Sequence, residues 1–203
     1  MAFIEDGVKP KATATRDTVY LIGDSIKGCY AATVREELSD IADVVFPEDN
    51  CRNTQYVLTS LNNWLGICNP ESVRVVHFNC GHWDIAHWNG ENTSLNTIEV
   101  YADNIKRIVK HLKTTFPNAK IAFATTTAMS PTYITCTNPR SNEEIAAYNA
   151  ASIAACDEDV YIDDLFEITK NYDAEAYADY CHLSQSGSKA LGKEIASFLR
   201  ELI

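Results

Sequence analysis

Five short apolar runs, separated by longer segments of helical period, leave this chain very few ways to fold. The runs are residues 19–22, 42–46, 73–78, 119–124 and 159–162. The first, Val19-Tyr-Leu-Ile22, is an unbroken series of β-formers, the pattern of a strand buried on both faces. Between and after the runs, apolar residues return at helical spacing: Tyr30, Val34 and Leu38; Val57, Leu58, Leu61 and Leu65; Tyr101, Ile105, Ile108, Val109 and Leu112. Ser141 and Glu144 have the spacing of a capping box that opens a further helix. A last helix starts near Ser184 and places Leu191, Ile195, Phe198, Leu199 and Leu202 on one side. Strands alternating with helices form βαβ units, and these build a parallel sheet covered on both faces. The expectation is an α/β, three-layer, flavodoxin-like domain with a five-stranded parallel sheet of order 2-1-3-4-5.

At 203 residues the chain suits one domain, expected over 17–203 behind an aperiodic N-terminal arm, 1–16. A formal net charge of -11 argues against nucleic acid and against an anionic membrane surface as partners. The N-terminus lacks the basic start and apolar core of a signal peptide, and no apolar run is long enough to span a bilayer. The seven cysteines are odd in number, scattered and without a C-x-x-C pair, which fits free thiols. A cytoplasmic protein is expected, with no cofactor and no bound metal.

Two short motifs carry chemistry. Gly23-Asp24-Ser25 follows the first strand and opens the first helix. A hydroxyl there stands at the carboxyl end of a parallel sheet, where ligands bind. Its own amide lies at a helix N-terminus, where developing negative charge is stabilised. Asp and Ser are also good helix caps, so nucleophile and cap are both open readings of the turn. Asp179-Tyr-Cys-His182 precedes the last helix. A carboxylate three residues before a histidine can accept its Nδ1–H, leaving Nε2 as the proton acceptor a serine nucleophile needs. Here too a bland reading stands, with Ser184 as the helix cap and the pair as ordinary loop residues.

Together these stretches resemble the first and last blocks of the SGNH (GDSL-type) hydrolase family, and the βα pattern between them agrees with that family's fold. The resemblance implies hydrolysis of carboxylic esters, with Ser25 as nucleophile, His182 as base and Asp179 as its orienter. The middle blocks depart from the family pattern. Where the second block has a glycine whose N–H faces the oxyanion, this chain reads Asn50-Cys-Arg-Asn-Thr54, which leaves the Arg52 N–H as the counterpart. Where the third block has Gly-x-Asn-Asp, it reads Gly81-His-Trp-Asp84, so Trp83 stands in the asparagine's place and Asn79 is the other candidate donor. The oxyanion candidates are therefore Ser25, Arg52, Asn79 and Trp83.

Asp24, Asn53, His82, Asp84 and Trp88 are the candidate substrate contacts. Trp83 and Trp88 lie in a polar segment running to about Thr97 without periodicity; they suit a sugar ring or small acyl group, or they pin the loop. His82, Asp84 and His87, with His77 nearby, raise a rival reading as a metal-dependent hydrolase, although no ligand set of defined spacing is present. A non-catalytic carbohydrate-binding domain of the same fold is the third reading. The leading one is a serine esterase acting on small acyl groups, O-acetyl on a carbohydrate in particular.

Overall fold

The computed structural model describes residues 16–132 and 136–203; of the expected arm, only Arg16 lies inside this range. Its sheet is built from β1 (Asp17–Ile22), β2 (Ala42–Val45), β3 (Val73–Asn79), β4 (Lys120–Ala124) and β5 (Tyr161–Asp163). All neighbours pair in parallel, in the order β2-β1-β3-β4-β5. This is the expected fold class and strand order.

Because side chains alternate along a strand, the central strands feed two separate cores. Tyr20, Ile22, Val76, Phe78 and Phe123 pack on one face against α2 (Thr54–Trp64), α4 (Ile98–Thr115) and α5 (Asn142–Ala155). Val19, Leu21, Val75 and Ala122 pack on the other against α1 (Ser25–Glu37) and α7 (Gln185–Arg200). Burial on both faces is why these strands read as continuous apolar runs. The helix that precedes β2 and the helix that ends the chain thus share one side. They approach closely: a Cβ added at Gly192 of α7 would lie 2.6 Å from the Thr33 Cβ of α1.

Three features differ from the pattern read in the sequence. The fifth strand begins two residues later than expected, at Tyr161, because Asp157 and Asp159 are drawn out to Lys113 Nζ (2.9 and 2.5 Å) in the preceding turn. Two short helices, α3 (His82–Ile85) and α6 (Leu165–Thr169), are too brief to show a period. The first of them brings Asp84 into the core. Rather than facing a substrate, the Asp84 carboxylate accepts from the Thr54 N–H (3.1 Å) and hydroxyl (2.6 Å) and from Asn96 Nδ2 (2.6 Å). It pins the first turn of α2 to the loop after β3. The seven cysteines are free.

Two predictions follow from these contacts. A methyl group at Gly23 would meet Asn79 Oδ1 at 2.1 Å and Lys27 Cβ at 2.6 Å. Gly23→Ala should therefore cost about 1–3 kcal/mol, seen as a lower urea midpoint at unchanged slope; an unaltered midpoint would mean that the turn relaxes. Among the described residues no cation lies beside Asp84, and burial pushes its carboxyl up to about 6, its hydrogen bonds offsetting part of the rise. A carboxyl whose folded pKa exceeds its unfolded one stabilises the fold most at low pH and loses that contribution as pH rises through the folded value. Between pH 4 and 7, wild type should lose on the order of 2–3 kcal/mol more stability than Asp84→Asn. Parallel curves for the two proteins would refute the assignment.

Candidate active site

Ser25 owes its position to the turn that ends β1. Asp24 caps α1, its Oδ1 accepting from the Ile26 N–H and from Asn79 Nδ2, each at 2.9 Å. Asn79 in turn accepts from the Tyr30 hydroxyl at 2.8 Å. The turn is thereby clamped from below by β3 and from behind by α1. As the first residue of α1, Ser25 has an N–H that the helix itself leaves unpaired.

The segment that presents His182 is a small closed loop. Tyr177 and Leu183 pair in an antiparallel bridge, and the Ala178 N–H donates to the His182 carbonyl at 2.8 Å. Inside it, Asp179 Oδ1 accepts from the N–H groups of Cys181 (2.9 Å) and His182 (2.8 Å), while Oδ2 lies 2.7 Å from His182 Nδ1. Partial burial works to raise the Asp179 carboxyl, but these N–H groups and the imidazole outweigh it and hold the group below its ordinary range. It is a carboxylate at neutral pH. With Nδ1–H given to Asp179, His182 Nε2 faces the Ser25 hydroxyl at 2.7 Å. Ser184 caps α7 just beyond, accepting from the Gly187 N–H, so the capping reading and the histidine arrangement hold together.

These side chains open into a cavity of about 220 Å³ walled by Asn50, Trp83, Trp88, Arg140 and Tyr180, with His82 among its lining residues. Trp83 and Trp88 lie against each other, centroids 4.8 Å apart, and Trp88 Nε1–H donates to the Trp83 carbonyl at 3.0 Å. His82 is buried, accepts Arg140 Nε–H at Nδ1 (3.0 Å) and meets Thr127 Oγ1 through Nε2 (3.0 Å). Burial, then the charges of Arg140 and His182, push its pKa well below the usual histidine value, so it is neutral.

Several expected site residues lie elsewhere or are already engaged. Asn53 caps α2, accepting from the Tyr56 N–H at 2.9 Å. Asp24 is buried beneath the turn as a cap and does not line the cavity. Asn79 is also buried, with its amide given to Asp24, so it braces the turn instead of facing an oxyanion. Arg52 does adopt the left-handed conformation (φ 49°) that suits the glycine of the family pattern, yet its N–H donates to Asn50 Oδ1 at 2.9 Å. His82, Asp84 and His87 do not converge on a metal. His82 is held by Arg140 and Thr127, Asp84 by Thr54 and Asn96, and His87 lies 2.7 Å from Glu144 Oε1. His77 is buried in β3 and paired with Asp163 at 2.9 Å. Among the described residues, the one metal-competent grouping is Asp179, Cys181 and His182. Burial, above all other influences, pushes the Cys181 thiol up to about 12, and its Sγ accepts from Arg140 Nη2 at 3.3 Å, which sets a cation beside this grouping.

The cavity residues Asn50, Asn138, Arg140 and Tyr180 carry no functional assignment from the sequence. Arg140 carries a faint signal, as a lone cation in the loop after β4, on the same sheet end as Ser25. Asn50 sits in the stretch where the family's second block falls, but attention there goes to the missing glycine.

No protein-family model matches the chain. It is 28% identical over 141 residues to the GDSL esterase/lipase WDL1 of Oryza sativa subsp. japonica, a match covering 64% of this chain and 54% of that protein. The chain thus aligns with about half the length of this curated relative. Among solved structures it is similar to the acetyl xylan esterase AlAXEase (TM-score 0.72, 16% identity, 90% of this chain and 99% of that one). It is also similar to the lipase/acylhydrolase from Enterococcus faecalis (TM-score 0.67, 20% identity, 91% and 96% covered). A third likeness is to a Clostridium thermocellum family 3 carbohydrate esterase (TM-score 0.64, 20% identity, 92% and 98% covered). At these identities the structural likeness is one of fold, and it joins the sequence relative and the two terminal motifs. The sequence relative and the shared fold together support the SGNH (GDSL-type) hydrolase family for this chain.

Proposed function

We propose that this protein hydrolyses carboxylic esters of small acyl groups through an acyl-enzyme on Ser25. The observation that carries the reading is the line of contacts Asp179 Oδ2–His182 Nδ1 and His182 Nε2–Ser25 Oγ, each 2.7 Å. His182 takes the hydroxyl proton as Ser25 Oγ attacks the ester carbonyl, and Asp179 stabilises the imidazolium that forms. The imidazolium then protonates the departing alcohol, and water repeats the sequence on the acyl-enzyme.

The tetrahedral oxyanion needs donors. The Ser25 N–H at the start of α1 is one. Asn50 supplies the other: its Oδ1 is committed to the Arg52 N–H, which leaves Nδ2 as the amide's free donor at the cavity wall. In this reading a side-chain amide from the second loop takes over from the asparagine missing at position 83.

A cavity of about 220 Å³ suits an acetyl or similarly short acyl group better than a fatty chain. The paired indoles of Trp83 and Trp88 offer an aromatic wall beside it, the kind of surface a sugar ring lies against. With an acetyl xylan esterase and a carbohydrate esterase among the proteins of like fold, an O-acetylated carbohydrate is the proposed substrate class.

Ser25→Ala should lower turnover of p-nitrophenyl acetate roughly 10⁴-fold while the circular dichroism spectrum is unchanged. It should also abolish labelling by a fluorophosphonate probe; turnover near that of wild type would end the proposal. Asn50→Asp keeps an acceptor for the Arg52 N–H but removes the donor. It should reduce kcat about 10²–10³-fold with little change in KM. Steady-state kinetics showing kcat within a fewfold of wild type would take Asn50 out of the oxyanion site.

A further inference from the structure

The cavity holds a cation that the proposed ester chemistry does not use. Arg140 donates from Nε to His82 Nδ1 (3.0 Å), from Nη1 to the Asn138 carbonyl (3.3 Å) and from Nη2 to Cys181 Sγ (3.3 Å). Its guanidinium also lies over the Tyr180 ring, 5.4 Å from the centroid. Every one of these partners is neutral. His82 is kept unprotonated and Cys181 keeps its proton, so neither balances the charge. Among the described residues no carboxylate forms an ion pair with Arg140, although acidic groups outnumber basic ones in this chain by 28 to 17.

The guanidinium is also held still. Three bonds and a stacked ring fix its plane, and of its five N–H groups one on each terminal nitrogen is left over. A planar pair of donors on a fixed cation is the arrangement that takes a carboxylate in two-point fashion. Arg140 lines the same cavity as Ser25, and the Cys181 thiol and the Tyr180 ring link it to the base: Cys181 Sγ lies 3.3 Å from Arg140 Nη2 and 3.8 Å from His182 Nδ1, and the Tyr180 and His182 ring centroids are 6.3 Å apart. Any group it binds is within a few bonds of the scissile ester. The Asp24 carboxyl acts on Arg140 only through space, so a guanidinium fixed in the cavity without an ion pair is left to pair with an anion.

We propose that Arg140 is a specificity residue that selects esters carrying a carboxylate close to the scissile bond. This rests on the esterase reading for its substrate but not for its test. The carboxylate can belong to the acyl part, as in a dicarboxylic acid half-ester, or to the alcohol part, as in an acetylated sugar acid.

Two matched pairs separate these sources. Mono-p-nitrophenyl succinate against p-nitrophenyl butyrate reports on the acyl side. 4-Acetoxybenzoate against methyl 4-acetoxybenzoate reports on the alcohol side. In wild type, kcat/KM for the charged member of one pair should exceed that of its neutral match by roughly tenfold or more. Arg140→Gln should erase that ratio, and Arg140→Lys should keep only part of it, because the charge remains and the fork is lost. Equal rates within both pairs, or a preference that survives in Arg140→Gln, would overturn the proposal.

Titration calorimetry with succinate and with 4-hydroxybenzoate gives a readout that needs no turnover. One of them should bind wild type with an affinity that weakens as salt is raised, and should fail to bind Arg140→Gln. If Arg140→Gln does not fold, the wild-type titrations decide, and no binding by either anion sinks the inference. If anion binding is found while no ester is hydrolysed and Ser25 is not labelled, the esterase reading fails and the Arg140 site stands.

Discussion

The packing of α1 against α7 on one face of the sheet is the constraint from which the site follows. Ser25 begins the first of these helices and His182 stands three residues before the second, 157 positions away in sequence. Tyr30, Val34, Leu191, Ile195 and Leu199 are buried in a common core with Val19 and Leu21 of β1. Burial of side chains of this size contributes about 1.5–3 kcal/mol each, far more than a single Ser–His hydrogen bond returns. The apolar contact therefore fixes the meeting of the two motifs, and the hydrogen bond exploits a proximity already secured. Gly192 lets the helices close to a distance that a larger residue would forbid.

Beneath the turn lies a second layer of control, made of buried polar groups. Asp24, Asn79 and Tyr30 form a chain of hydrogen bonds at 2.8–2.9 Å, and the Tyr30 ring meets His77 edge-on at 5.9 Å. His77 in turn bonds Asp163 at the end of β5. Satisfied groups of this kind add little net stability, since each bond replaces one to water, while the two atoms left without a partner among the described residues, Asp24 Oδ2 and His77 Nδ1, each cost about 1–3 kcal/mol. Their effect is to make the Gly23–Ser25 turn adopt one geometry. Lys27 extends the same control outward by donating to the Pro47 and Asp49 carbonyls, and the Cys51 N–H donates to the Gly23 carbonyl at 3.1 Å. That places the loop carrying Asn50 at the mouth of the cavity.

How much of this could be read from the chain depended on the range of each interaction. Helices α1, α4 and α7 announced themselves because their buried faces repeat over several turns, and β1, β3 and β4 because both their faces are apolar. Asp179 and His182 were legible because the carboxylate and the imidazole it orients are only three residues apart. Asp84, Asn53 and Asn79 misled for the opposite reason. A polar residue near a strand end looks the same in sequence whether it faces a ligand or caps a helix, and only the partner decides: Thr54 for Asp84, Tyr56 for Asn53, Asp24 for Asn79. Arg140 was hidden because its partners, His82 and Cys181, are 58 and 41 residues away. Its one local signal, a lone cation in the loop after β4, does not say which groups it meets.

Two charges of opposite sign flank the proposed base. In the proposed mechanism, an imidazolium on His182 would meet the Asp179 carboxylate at 2.7 Å on one side and the Arg140 guanidinium, beyond the Cys181 thiol, on the other. Coulomb energy falls with distance and with the polarity of what lies between, so the two charges act on that imidazolium unequally. The opposition still subtracts from what Asp179 provides. A carboxylate seated on Arg140 would neutralise that cation just where it hinders proton uptake. An anionic substrate would then do more than bind: by occupying its site it would ease protonation of His182 during attack, an interaction that strengthens as the transition state develops and so acts on kcat as well as on KM. Selection for charge and activation of the base would be coupled through a single guanidinium, held in place by the neutral imidazole of His82.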